Sequence, residues 1–195
     1  MGLGAPNRRQ QNCSQTASQW LDRDPLFLDT ETTGLDDHAE ICEIAVLDAD
    51  GTSLVDTLVR PTGPIPDGAR QVHGITDDDV RDAPTFAEIA PWLRDVLDGR
   101  EVVIYNADYD TRLLTQSARA RRLPPQPWGC PPTFRCAMRL YAEFRGDWNP
   151  SRGSYAWQKQ HAAARALGLA LPDDLHRARA DAELCRRIIQ TMAGH

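Results

Sequence analysis

Two β-rich runs, residues 40–47 and 53–59, stand close together with the turn signal Asp48-Ala49-Asp50-Gly51 between them. That arrangement predicts an antiparallel hairpin. A short apolar run, residues 26–30, precedes it and turns polar at Asp29, as a strand with an exposed end would. Beyond the hairpin the pattern changes, and strand-like and helix-like segments alternate. A hairpin followed by such alternation requires one sheet that holds both strand directions and is covered by helices. The fold class is therefore α/β, with a mixed sheet.

Residues 67–83 are polar and acidic and read as one or two short helical turns. Pro84 suits the first position of a helix in which Phe86, Ile89, Ala90, Leu93, Val96 and Leu97 recur at helical spacing, and Gly99 ends it. Residues 101–105 read as a strand, 108–123 as an amphipathic helix and 124–132 as a proline-rich connection. A fifth strand is expected over 134–138, feeding a helix through Phe144. A loop over 146–153, a helix over 156–167 closed by Gly168, and a final helix over 178–192 complete the series.

A chain of 195 residues suits one domain and can bury a core without staples. We expect that domain over residues 25–193, behind a loose or partly helical polar leader at 1–24. The leader lacks the apolar core of a secretory signal, and Pro6 stands where myristoylation wants Ser or Thr. No run approaches the roughly 18 apolar residues of a membrane span. Five cysteines at irregular spacing, with no C-x-x-C pair, point to reduced thiols and a cytoplasmic protein. The net charge of −6 is unfavourable for phosphate binding, but it describes the whole surface and not one groove. Basic residues are nearly all arginine, clustered at Arg119, Arg121 and Arg122 and at Arg177, Arg179, Arg186 and Arg187. Solvated helix faces explain such clusters as well as a nucleic-acid track does.

Asp29 and Glu31 stand two apart on a strand, so their side chains leave the same face. Carboxylates held together repel, and a shared hard cation relieves that cost. A solvent-facing strand end would explain the pair as well. Asp110 follows the strand at 101–105 and opens a helix, where Asp is also common as a cap. His176 precedes the last helix and Asp181 lies in its first turn; alone, each reads as a surface residue.

Together the segments carry more. Phe27-Leu28-Asp29-Thr30-Glu31-Thr32-Thr33-Gly34-Leu35 resembles the first motif of the DEDDh 3′–5′ exonucleases, the family of the proofreading subunit of bacterial DNA polymerase III and of ribonuclease T. Tyr105-Asn106-Ala107-Asp108-Tyr109-Asp110 is similar to the second motif. His176-Arg177-Ala178-Arg179-Ala180-Asp181-Ala182 is similar to the third, in which histidine precedes aspartate by five. Val72-His73-Gly74-Ile75-Thr76 is similar to a further segment typical of the group. The motifs fall in the family's order, and the resemblance covers about residues 25–192. Tyr105 departs from it, standing where many relatives have histidine or glycine, which bears on specificity more than on the acids.

The resemblance implies a ribonuclease H-like fold, a five-stranded mixed sheet flanked by helices, and phosphodiester hydrolysis with two divalent cations, Mg²⁺ or Mn²⁺. By that likeness Asp29 bridges both cations, Glu31 and Asp181 complete the shell of the first cation, and Asp110 holds the second cation through water. His176 takes a proton from the attacking water, a task suited to a side chain that titrates near neutrality. Thr32, Leu35, His73 and Tyr109 are expected beside the terminal nucleotide, although core packing explains Leu35 and Tyr109 equally well. Trp148, Tyr155 and Trp157 flank the late loop, and packing or a partner surface accounts for them more readily than substrate contact. The expected partner is nucleic acid with a 3′ end, single-stranded DNA first. RNA trimming, as by ribonuclease T, and a catalytically silent binding module are the competing readings. The short segment after Asp181 leads us to expect a free-standing enzyme or one joined through its surface. A homodimer and a polymerase or repair partner both remain open.

Overall fold

The structure, a computed structural model, describes residues 7–124 and 130–194. A five-stranded sheet runs through it in the order β3-β2-β1-β4-β5. Strands β1 (Leu26–Thr32), β2 (Ile41–Leu47) and β3 (Ser53–Leu58) form an antiparallel meander, in which β2 and β3 are the hairpin that the turn signal predicts. Asp48 closes the β2–β3 turn, its carboxylate accepting from the Asp50 and Thr52 N–H groups. Strands β4 (Glu101–Ile104) and β5 (Thr133–Cys136) add in parallel on the other side of β1.

Alternation along β1 divides the core. Leu26 and Leu28 join the cluster beneath helices α4 (Phe86–Leu97) and α5 (Ala107–Ala120), whereas Phe27 faces the opposite layer. That second layer is made of α1 (Arg8–Leu21), α6 (Ala137–Arg145), α7 (Gln160–Ala166) and α8 (Ala178–Ala193). In α8, Leu184, Ile188, Ile189 and Met192 recur on one face and are buried there. Each such side chain contributes roughly 1.5–3 kcal/mol on leaving water. The short helices α2 (Asp67–His73) and α3 (Asp77–Val80), expected as turns, cover a small cluster of Cys42, Ile65, Ile75 and Val80.

Several expectations are corrected. Of the two forms expected for the leader, the partly helical one is found and the loose one is not: Arg8–Leu21 is α1, capped reciprocally by Asn7 and Gln10. Its buried stripe is Cys13, Ala17 and Trp20, too small and mixed to stand out in so polar a segment. Pro84 does not start a helix: Glu88 accepts from the Thr85 N–H and hydroxyl, so Thr85 caps α4 at Phe86. The Pro84 carbonyl accepts from Arg60 N–H instead. The helix expected over 156–167 begins only at Gln160. The loop at 146–153 contributes β6 (Trp148–Asn149), which pairs with β7 (Ser154–Tyr155) in a small hairpin. Of the proline-rich connection, residues 125–129 lie outside the described part.

Candidate active site

Asp29 and Glu31 continue the face of β1 that Phe27 begins, so both carboxylates reach the layer that holds α8. Asp29 lies opposite Ala45 and Glu31 opposite Glu43 on β2, and the register slips immediately beyond, between Glu31 and Thr32. Such a bulge re-aims the strand end. Asp110, on α5, is buried and accepts the Thr30 hydroxyl at 2.7 Å. It is not the cap of that helix, since Asn106 occupies that position. Asp181 lies in the first turn of α8, and His176 stands exposed just ahead of it. Ligand atoms of Glu31, His176 and Asp181 lie within 4.8 Å of one another.

Negative charge accumulates here. Burial, then Asp110, Asp181, Glu31 and Glu43, hold the Asp29 carboxyl well above its ordinary range. Burial and the neighbouring Asp181 and Glu43 push Glu31 up to about 8. Asp110 rises to about 7 by burial, against the Thr30 hydrogen bond. Asp181 rises to about 6 by burial, against the pull of His176. Oxygen donors with one imidazole form a donor set suited to hard divalent cations. The four acids that the sequence singles out thus repel one another from three separate elements, β1, α5 and α8.

What sequence reasoning missed is the pair that joins β2 to α8. Arg177 Nε lies 3.0 and 3.1 Å from the two Glu43 oxygens, its Nη2 also reaches Oε1, and the Ala178 N–H donates to Oε2 at 2.9 Å. Glu43 thereby fills the N-terminus of α8, where anions are favoured. It also pins the backbone on the C-terminal side of His176, which holds a left-handed φ of 66°. That conformation costs a non-glycine residue about 1–3 kcal/mol and persists where its surroundings over-determine it. The available signal was an acid inside the otherwise apolar run Ile41-Cys42-Glu43-Ile44-Ala45-Val46-Leu47, because a buried charge needs a partner.

The expected substrate contacts separate into two kinds. The Thr32 and Tyr109 hydroxyls lie 2.6 Å apart and both donate to the Gly34 carbonyl. Arg112 stacks on the Tyr109 ring and donates to the Leu35 and Asp36 carbonyls. These bonds present Leu35, which is 81% exposed and so is not a core residue. His73 is buried. Its Nδ1 accepts from the Ile75 N–H, which leaves Nε2 to donate to the Thr32 carbonyl at 3.3 Å. It braces Thr32 from behind.

Residues 26–189 match the model of the family RNase_T, described as Exonuclease. The chain belongs to this exonuclease family of phosphodiester hydrolases. It is 44% identical to the uncharacterized exonuclease CP81 of Escherichia phage 186, over 92% of this chain and 93% of that protein. It is 28% identical to the DNA polymerase III epsilon subunit of Treponema pallidum, over 86% of this chain and 75% of the subunit. Exonuclease I shares the fold, with a TM-score of 0.68 and 17% identity over 85% of this chain, which spans only 40% of that longer protein.

Proposed function

We propose that the chain removes nucleotides one at a time from the 3′ end of DNA, acting on unpaired ends, with two divalent cations and His176 as general base. The observation that carries this reading is the convergence of Glu31, His176 and Asp181 within 4.8 Å, beside the raised carboxyls of Asp29 and Asp110. Asp29, Glu31, Asp110 and Asp181 would hold the cations, Mg²⁺ or Mn²⁺. When bound, these would offset the clustered charge and stabilise the attacking and leaving oxygens. His176 accepts the proton of the attacking water and, being exposed, returns it to solvent. Thr30 orients Asp110. Leu35 offers an apolar surface on which a terminal base of any identity can rest, which favours ends already unpaired.

The likeness to a DNA polymerase subunit supports DNA over RNA as the polymer. The acids themselves act on phosphate, which both polymers share. Five free thiols suit a reducing, cytoplasmic compartment. Among the described residues no helix is long and apolar enough to cross a membrane. The test is the purified protein with Mg²⁺ or Mn²⁺ on 5′-labelled single-stranded DNA and RNA side by side. A descending ladder on DNA, faster than on RNA and slower on duplex ends, is expected. Release of the labelled 5′ mononucleotide at once, or cutting of closed circles, overturns the reading.

A further inference from the structure

Two large, exposed aromatic side chains remain without a role. Trp148, in β6, is 55% exposed, and Trp157, just after β7, is 54% exposed. Trp148 meets Tyr155 edge to face, with ring centroids 5.2 Å apart. Among the described residues Trp157 has no ring partner.

The segment that carries Trp157 is tied directly to the active site. The next residue, Gln158, accepts the Tyr105 hydroxyl at 2.9 Å, and Tyr105 leads into the helix that bears Asp110. Gln160 donates from its side-chain amide to the Asp181 carbonyl at 2.6 Å. These two bonds tie the Trp157–Gln160 segment to the elements that carry Asp110 and Asp181.

Its charge is the reverse of theirs. Between Asp147 and Asp173 the chain has no acidic residue, while it has Arg152, Lys159 and Arg165. Among the described residues these three exposed cations make no ion pair. In the acid-free stretch 111–142, by comparison, Arg112, Arg135 and Arg139 are each committed to a carboxylate, whereas Arg119, Arg121 and Arg122 lie on and after α5 without one among the described residues. Exposed aromatic faces interleaved with uncommitted cations match a polyanion that carries unpaired bases, since every base has a face to stack and every link has a phosphate.

We infer that the β6–β7 hairpin and the Trp157–Gln160 segment form a track for the single strand upstream of its 3′ end, with Trp157 and Trp148 stacking on bases and Lys159 and Arg152 meeting phosphates. This rests on the proposed exonuclease reading and adds to it where the rest of the strand lies. The track makes affinity depend on strand length, which the acids and Leu35 alone would not do.

The test uses the full chain carrying Asp110→Asn, which keeps the oligonucleotide intact, and a 5′-fluorescent twelve-residue oligothymidylate followed by anisotropy. Trp157→Ala should weaken binding at least fivefold, and Trp157→Phe should restore most of the loss, because a phenyl ring still stacks. Lys159→Gln should lower the slope of affinity against salt by about one. With Asp110 intact, the kcat/KM advantage of a twelve-residue strand over a dinucleotide should shrink by a similar factor in Trp157→Ala. Both tryptophans are exposed, and melting curves verify that the variants fold. If Trp157→Ala and Trp148→Ala each bind within twofold of the parent and keep the length advantage, the inference is overturned, and the face is left to a protein partner. If the strand binds through Trp157 yet neither length is cut, the track stands and the exonuclease reading falls.

Discussion

Glu43 on β2 and Arg177, which caps α8, form a two-pronged ion pair, and the same carboxylate also accepts the Ala178 N–H. One buried acid thus sets where His176 and Asp181 stand relative to Asp29 and Glu31. Glu43 touches no reacting atom in the proposed scheme, so it is a positioning residue. Glu43→Ala should lower kcat about 10–100-fold, the usual effect of losing a partner that orients site ligands. Its KM for a single strand should stay within about threefold. Glu43→Gln keeps an acceptor for Ala178 N–H and should recover part of the loss. Wild-type turnover in Glu43→Ala would refute the positioning role.

Without added metal, stability should fall as pH rises. Glu31 at about 8, Asp110 at about 7 and Asp181 at about 6 all lie above the ordinary carboxylate value of about 4. Each binds its proton more tightly folded than unfolded. The resulting stabilisation is fully present below the unfolded pKa and is lost as pH climbs through the folded values, from about 4 to about 8. Melting of chelator-treated protein should therefore drop by on the order of 5 °C between about pH 5 and pH 8. Millimolar Mg²⁺ or Mn²⁺ should remove most of that drop at the higher pH. A metal-free melting temperature that rises over this range contradicts the assignment.

Asp29→Asn separates function from stability. Burial and four acidic neighbours oppose ionisation of this carboxyl, so a neutral amide relieves repulsion. The metal-free variant should melt at or above the parent temperature, while hydrolysis falls by more than about 10³-fold because one of the acids proposed to hold the cations is gone. Chelation of the parent with EDTA should silence it equally. Hydrolysis at the parent rate in either case would remove metal chemistry from the scheme.

His176→Ala should behave differently from loss of an acid. Affinity for a strand and for Mn²⁺ should change little, while turnover at saturation falls roughly 10²–10⁴-fold, the usual worth of a placed general base. A limb of the parent's pH–rate profile that depends on this side chain should vanish in the variant. Turnover within twofold of the parent at saturating substrate and metal makes His176 a bystander. A large loss of Mn²⁺ affinity would instead make it a ligand, which its distance to Glu31 and Asp181 permits.

Much of the architecture was legible because it depends on local pattern. Alternation of Leu26, Phe27 and Leu28, the Asp48–Gly51 turn and the apolar spacing of the fourth and eighth helices depend on neighbours a few residues apart. The first helix was harder to read, since Cys13, Ala17 and Trp20 gain their meaning only against the last helix and the sixth. The start of the fourth helix turned on competition between a proline and a Thr85–Glu88 cap, which pattern alone does not rank.

For the site, the sequence by itself singled out Asp29, Glu31, Asp110, His176 and Asp181, which lie in ordered motifs that resemble those of the DEDDh exonucleases. Tertiary structure decided what holds them. Glu43 and Arg177 are 134 positions apart, and Thr30 and Asp110 are 80 apart. No local pattern encodes such pairs, since a buried charge finds its partner only once the sheet and the last helix have closed around it. Exposure was decided there as well: Leu35 and Trp157 look like core residues by type, and only packing leaves them facing solvent.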